Sequence, residues 1–382
     1  MCKTICVIGL VVVMMGASVI GHAAGNINVT AKSAIVIEAK SGQVIYEQDA
    51  ESRRYPASTT KMMTLLLALE KGNLNDMVTA SKTASETEGS SIWLENGEKQ
   101  RLEDLLYAIM LVSGNDATVA VAEHIAGSVD AFAKQMTAKA KEIGATNTVF
   151  MNSSGLPDPN HYSTAHDLAK IAAYGYKNPL FAKIVSTKEK VIPWAGKEYG
   201  RDLGNENKLL WIYDGGNGVK TGYTEAAGHC LVAAAERNGI QLIAVVLDSE
   251  AMWQDSMALL DYGFQHSSLA TVLQQGTILK TVKVVYGYKD AVNLVVESNV
   301  DIPVVQGDKE KISTVVEAPD SVKASVRKGQ ALGKVKVLYD GNEVAVVNLV
   351  AEDSIERKSL FDIIYNTIYN GIKSIWNWWG QQ

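Results

Sequence analysis

The chain has 382 residues, 47% of them hydrophobic and 20% charged, with 31 glycines and 7 prolines. This length fits two or three domains, and the composition excludes collagen-like, low-complexity and wholly disordered chains. A formal charge of −6 without any Lys/Arg-rich block argues against nucleic acid as a partner.

At the N-terminus, Lys3 is followed by an uncharged apolar run from Ile5 to Ile20 and then by Gly21-His22-Ala23-Ala24. A basic start, an apolar middle and small residues before the cut describe a secretory signal peptide over residues 1–23, with an uncleaved anchor as the competing reading. Cys2 and Cys6 lie too early for a lipid-modified cysteine, and cleavage would leave Cys230 as the single thiol. An exported chain of this kind has no internal disulfide and no Cys-ligated zinc site.

Residues 28–266 read as an α+β domain. Ala34–Ile37 and Val44–Tyr46 form a strand pair, and Met62, Met63, Leu65, Leu66 and Leu69 give a helical pattern from Ser58 to a cap at Gly72. Helical pattern continues through Leu102–Ala126 and Ala131–Ile143. Strands return at Cys230–Glu236 and Gln241–Leu247, with a turn signal at Arg237-Asn238-Gly239. Strands, helices and then hairpins imply an antiparallel sheet flanked by helices.

Residues 273–352 carry short β-branched runs, Ile278–Tyr286, Ala291–Glu297, Val300–Val305, Val322–Val326, Val335–Tyr339 and Glu343–Val350, and neither His nor Cys. They predict a small all-β domain without chemistry of its own. Residues 355–382 end in an amphipathic helical pattern. Asp362, Asn366, Asn370, Lys373 and Asn377 share one side, while Leu360, Phe361, Ile364, Ile368, Ile372, Ile375, Trp378 and Trp379 take the other. A polar stripe is incompatible with spanning, so the segment is expected to lie in a membrane interface, where Trp376 and its neighbours suit the headgroup boundary. Docking on the protein itself is the alternative.

Three motifs carry chemistry. In Ser58-Thr59-Thr60-Lys61, residues three apart share a helix face, so Lys61 can reach the Ser58 hydroxyl. Serving as base requires a lysine pKa lowered from ~10.4 by burial or nearby positive charge; a serine N-cap beside a solvated lysine is the plainer reading. Ser113-Gly114-Asn115 interrupts an apolar run with a hydroxyl and a carboxamide able to relay a proton and hold a substrate amide, or it is simply a helix break. Lys220-Thr221-Gly222 precedes the Cys230 strand: the side chains can bind a carboxylate, the glycine lets substrate lie along the strand, and a backbone N–H can serve an oxyanion hole. Alone, it is an edge-strand lysine.

In this order and context the three motifs match the set of penicillin-binding proteins and class A β-lactamases. The chain resembles the low-molecular-mass penicillin-binding proteins that are D-alanyl-D-alanine carboxypeptidases. The resemblance covers the signal, Tyr55–Thr64, the Ser113 triplet, His161-Tyr162-Ser163-Thr164-Ala165, Asn205–Leu210, Lys220–Cys230, the β domain and the C-terminal helix. It implies a β-lactamase/transpeptidase-like fold and a serine peptidase that removes the terminal D-alanine of peptidoglycan stem peptides and is acylated by β-lactams. Ser58 would be the nucleophile and Lys61 its base, with Ser113 and Asn115 completing the catalytic set. Lys220, Thr221, Gly222 and Tyr223 would bind substrate, the N–H groups of Ser58 and Tyr223 forming the oxyanion hole. No metal or other cofactor is implied. His161 is expected to be structural, and His166 stands where relatives often carry Arg. The enzyme would work on the outer face of the cytoplasmic membrane, peripheral through its C-terminal helix.

Other functions fit less well. Between Asn115 and Lys220 there is no Glu-x-x-x-Asn loop to activate deacylating water, as an efficient β-lactamase requires. A cross-linking transpeptidase would be expected to carry a large extra N-terminal domain, although an endopeptidase side activity stays compatible. A non-catalytic wall-binding protein would be marked by loss of Ser58 or Lys61, and both are present.

Overall fold

The computed structural model describes residues 27–305 and 309–359, and beyond them 361, 362, 364, 365, 368, 369 and 372. The expected signal segment, with Cys2 and Cys6, and the C-terminal tryptophans lie outside the described residues. The chain divides into two compact units, the division falling between Ser268 and Leu269.

The first unit is built on a five-stranded sheet formed by β1 (Ser33–Glu38), β2 (Val44–Gln48), β3 (Gly216–Thr224), β4 (Gly228–Arg237) and β5 (Ile240–Ser249), in the order β2-β1-β5-β4-β3. Every neighbouring pair is antiparallel. The turn between β4 and β5 has Asn238 and Gly239 both at positive φ, as a tight hairpin demands. The central strands read as unbroken apolar runs because both faces are covered. Val36, Ala233, Ala244 and Val246 pack against Leu259 and Leu260 of one helix, Met252–Gln265, while Ile35, Ile37, Val232, Ile243 and Val245 face the remaining helices.

Those helices include α1 (Lys61–Lys71), α2 (Leu102–Leu111), α3 (Asn115–Ala126), α4 (Val129–Glu142) and α5 (Ala165–Tyr176). Helix α1 is buried from Lys61 through Ala68, including Met62, Met63, Leu65, Leu66 and Leu67. A helix apolar all round belongs inside a core, and each such side chain contributes ~1.5–3 kcal/mol. The first turn of this element, Ala57–Thr60, is a 3₁₀ turn, so regular helix starts at Lys61 rather than Ser58. The helical pattern expected over Leu102–Ala126 is broken into α2 and α3, and at the break Ser113 has φ 61°.

The second unit holds a six-stranded sheet. From one edge its strands are Ile312–Glu317, Ala331–Tyr339, Asn342–Ala351, Ala291–Val296, Ile278–Val285 and Ser321–Lys323. The last pair is parallel. Its core gathers Val282, Val284, Leu294, Val296, Val335, Val337 and Leu349. Beyond Ser359, the described residues Phe361, Asp362, Ile364, Tyr365, Ile368, Tyr369 and Ile372 are helical. The apolar ones among them are exposed. Among the described residues no helix is long and apolar enough to cross a membrane.

Candidate active site

Ser58 sits on the 3₁₀ turn between Ala57, at φ 47°, and the start of α1. A left-handed alanine is strained, and it persists because its surroundings hold it. Part of that hold is Gly155, itself at φ 88°, whose missing side chain leaves room for the Ala57 carbonyl. The loop Asn152-Ser153-Ser154-Gly155 thereby presses against the Ser58 turn. Asn152 Oδ1 shapes it by accepting from Gly155 N at 2.7 Å and Ser154 N at 3.1 Å.

Lys61 is fully buried, and its Nζ donates to Ser58 Oγ at 2.9 Å, Asn115 Oδ1 at 2.7 Å and Ser154 O at 2.8 Å. Three acceptors saturate an ammonium. A neutral amine has only two hydrogens and one lone pair, so one neighbour must donate instead. Ser154 O is a carbonyl and cannot. Asn115 cannot either, because its Nδ2 is committed to Glu88 O at 2.7 Å, which fixes Oδ1 toward the lysine. The Ser58 hydroxyl remains. Deprotonation of Lys61 therefore aims its lone pair at the one proton that a base must remove.

The charge environment favours that neutral form. Burial, and then the Lys220 ammonium, push the Lys61 amine well below its ordinary range, opposed by Glu206 and Asp116. The N-terminal end of α1 acts in the same direction as burial. Lys220 is also buried and lowered by that burial, while Glu206 pulls it back up.

Strand β3 is an edge of the sheet, and it runs beside the Ser58 turn. Gly222 is where they meet: a Cβ there would stand 2.9 Å from Ser58 N and 3.2 Å from Pro56 O. Lys220 Nζ donates to Thr221 Oγ1 at 3.3 Å, and Thr221 Oγ1 donates to Glu206 Oε2 at 3.1 Å. Tyr223 follows at the strand's outer end, mostly exposed, with its ring 4.7 Å from that of His229. Ser113 is buried at the turn between α2 and α3, and its hydroxyl makes no hydrogen bond among the described residues. Six of the eight expected residues thus gather as two groups, Ser58-Lys61-Asn115 linked directly and Lys220-Thr221 linked through their own bonds, with Gly222 joining strand to turn, while the side chains of Ser113 and Tyr223 bond to neither group among the described residues.

Several contributors had no assigned part in the sequence reading. Ser154 and Glu88 act through backbone carbonyls, which leave no side-chain signature. Asp116, beside Asn115, accepts from Ser91 Oγ and from the N–H groups of Ile92 and Leu94, folding that loop around the start of α3. The same loop is held by buried Arg201, which pairs with Glu98 at 2.7 Å and donates to Ile92 O and Trp93 O. Removing one partner of such a buried pair typically costs 3–5 kcal/mol.

His161 is buried. Its Nδ1 accepts from Met151 N, so Nε2 carries the proton and donates to Thr60 Oγ1 at 2.9 Å; burial pushes the ring down to about 4. His166 pairs with Glu51. Cys230 is free and buried, its thiol pushed up to about 11 by burial, which leaves little of the reactive thiolate.

Residues 20–251 match the family model described as D-alanyl-D-alanine carboxypeptidase, and residues 268–357 match that of the penicillin-binding protein 5 C-terminal domain. The D-alanyl-D-alanine carboxypeptidase DacF of Bacillus subtilis is 34% identical over 348 residues, covering 88% of this chain and 89% of its own. The DacA enzyme of Haemophilus influenzae is 32% identical and covers 91% of each chain. Among solved structures, penicillin-binding protein 5 from Haemophilus influenzae aligns at TM-score 0.63 and 32% identity, over 87% of this chain and 99% of its own. PBP3 from Streptococcus pneumoniae aligns at TM-score 0.72 and 26% identity, over 86% and 100%. The fold is that of the penicillin-binding proteins, with a separate C-terminal all-β domain. The chain belongs to the D-alanyl-D-alanine carboxypeptidase family of serine peptidases.

Proposed function

We propose that this carboxypeptidase removes the terminal D-alanine from peptidoglycan stem peptides through an ester on Ser58. Ser58 Oγ attacks the penultimate carbonyl as its proton passes to Lys61 Nζ. The N–H groups of Ser58 and Tyr223 take the developing oxyanion, at sites where a single donor is worth ~10²–10³ in kcat. The amide C–N bond then breaks, and the leaving nitrogen receives a proton relayed through Ser113 from Lys61, with Asn115 holding that network. Lys220 and Thr221 bind the terminal carboxylate before D-alanine departs. Water, deprotonated by Lys61, attacks the ester, and the shortened peptide leaves with Ser58 reprotonated. A β-lactam enters the same sequence at the same serine and stays on it as a slowly hydrolysed ester.

The observation that carries this reading is the Lys61 amine, buried and 2.9 Å from Ser58 Oγ between two fixed acceptors. A Ser58→Ala variant tests it. Wild type should release D-alanine from a diacetylated tripeptide ending in D-Ala-D-Ala and be labelled by a fluorescent penicillin, and the variant should do neither. Labelling without D-alanine release would leave a penicillin-binding protein with another activity.

The same reading places the work outside the cytoplasmic membrane. Residues 1–23 direct export, residues 28–266 carry the peptidase, residues 273–352 form a spacer, and residues 355–382 anchor the enzyme to the membrane surface. Trimming stem peptides there removes donors for cross-linking and so limits how densely the wall is joined.

A further inference from the structure

Glu206 places a carboxylate against the two side chains assigned to the substrate's own carboxylate. Its Oε2 accepts from Thr221 Oγ1 at 3.1 Å and lies 3.6 Å from Lys220 Nζ. The lysine is buried, whereas the Glu206 side chain is 46% exposed. Its backbone is anchored: Glu206 N donates to Leu111 O at 3.0 Å. The flanking Asn205 bonds Thr187 O at 2.9 Å, and flanking Asn207 accepts from Leu209 N at 3.1 Å. A rigid segment thus presents one side chain free to turn outward.

We propose that Glu206 is a specificity-determining residue that holds the substrate-carboxylate site in the free enzyme and must turn out to solvent when a D-Ala-D-Ala terminus binds. The proposal rests on the reaction assigned above. One ammonium and one hydroxyl can neutralise one carboxylate, and a second carboxylate at the same distance would be repelled. Glu206 and the substrate are therefore alternatives. The exchange also keeps one negative charge near Lys220 throughout, so the charge beside Lys61 is handed from protein to substrate rather than created on binding. A substrate with a neutral terminus has no such exchange to make.

The test compares Glu206→Gln with wild type on a diacetylated tripeptide ending in D-Ala-D-Ala and on the same peptide ending in D-Ala-D-Ala-amide, following D-alanine or D-alaninamide. The proposal expects KM for the acid to fall roughly threefold to tenfold, with kcat within about twofold and KM for the amide unchanged. Acylation by a penicillin, which bears a carboxylate, should accelerate in step. An unchanged or raised KM for the acid, or an equal fall for acid and amide, would overturn it. Glu206→Asp retains the charge on a shorter arm and is a second handle should the glutamine variant fold poorly. On the same anchored backbone its carboxylate falls short of Thr221 and Lys220, so its preference should shift toward the acid as in the glutamine variant, and an unchanged preference in a folded Glu206→Asp protein would count against the proposal. Wild type that neither releases D-alanine nor takes up penicillin would instead remove the reaction assignment itself.

Discussion

Gly222→Ala tests how the nucleophile is positioned without touching any group that reacts. The added Cβ would lie 2.9 Å from Ser58 N, 3.1 Å from Ala57 Cβ and 3.2 Å from Pro56 O. None of these is the loose end of a flexible side chain, so strand β3 and the Ser58 turn must separate by about half an ångström to reach ordinary contact. Overpacking of that size costs ~1–3 kcal/mol, and each kcal/mol lowers the melting temperature of a domain this large by ~2–4 °C. The catalytic effect should be far greater. The Ser58 N–H and the strand would no longer converge on one oxyanion, and loss of one donor lowers kcat ~10²–10³-fold. The assay pairs D-alanine release with the rate of fluorescent-penicillin labelling, both on protein whose melting is recorded. A folded variant with kcat and labelling within a fewfold of wild type would refute the oxyanion geometry.

Three further outcomes are expected. In the proposed reaction neutral Lys61 is the base, so the labelling rate should rise with pH through a midpoint well below the ordinary lysine range. Removing the Lys220 charge (Lys220→Met) should move that midpoint upward, since Lys220 disfavours the protonated amine while Glu206 and Asp116 favour it; an unmoved midpoint would mean another group titrates. His161 is held near 4 when folded and sits near ~6.5 when unfolded, so the unfolded chain binds its proton first as pH falls. Full stability is therefore present above pH ~6.5 and about 3 kcal/mol is lost as pH falls to ~4; urea unfolding of His161→Gln should lack most of that decline, and an equal decline would contradict it. Finally, removing Arg357–Gln382 should leave activity on soluble peptide intact and release the protein from membranes, and continued sedimentation with membranes would sink the anchor assignment.

The sheet and the reactive motifs were legible because their signals are local. Short apolar runs marked β1, β2, β4 and β5, and Asn238-Gly239 named its own turn. The serine–lysine spacing gave a contact of 2.9 Å even though the turn that carries Ser58 is 3₁₀ rather than α. Long-range features were not legible. Nothing in the sequence pairs β1 with β5, about two hundred residues away, yet that pairing closes the sheet. Helices α5 and Met252–Gln265 went unassigned, the strand Ile312–Glu317 was overlooked although its residues are largely β-branched, and the carbonyls of Ser154 and Glu88 have no residue-type signature. Glu206 was visible only as an acid without a β-lactamase context; its meaning depends on the fold bringing it to Thr221.

The orientation of the Asn115 side chain has a chemical consequence for the ageing of the enzyme. Its oxygen faces Lys61 and its nitrogen faces Glu88 O. Hydrolysis of that amide to a carboxylate would change the shape of the residue hardly at all. It would nevertheless set two oxygens against each other at 2.7 Å on the Glu88 side and place a full negative charge beside the lysine. The new charge would favour the ammonium, and an ammonium saturated by three acceptors has no lone pair left for Ser58. One slow, spontaneous side-chain reaction would thus leave a correctly folded protein that has lost its base, with every residue of the three motifs but one unchanged.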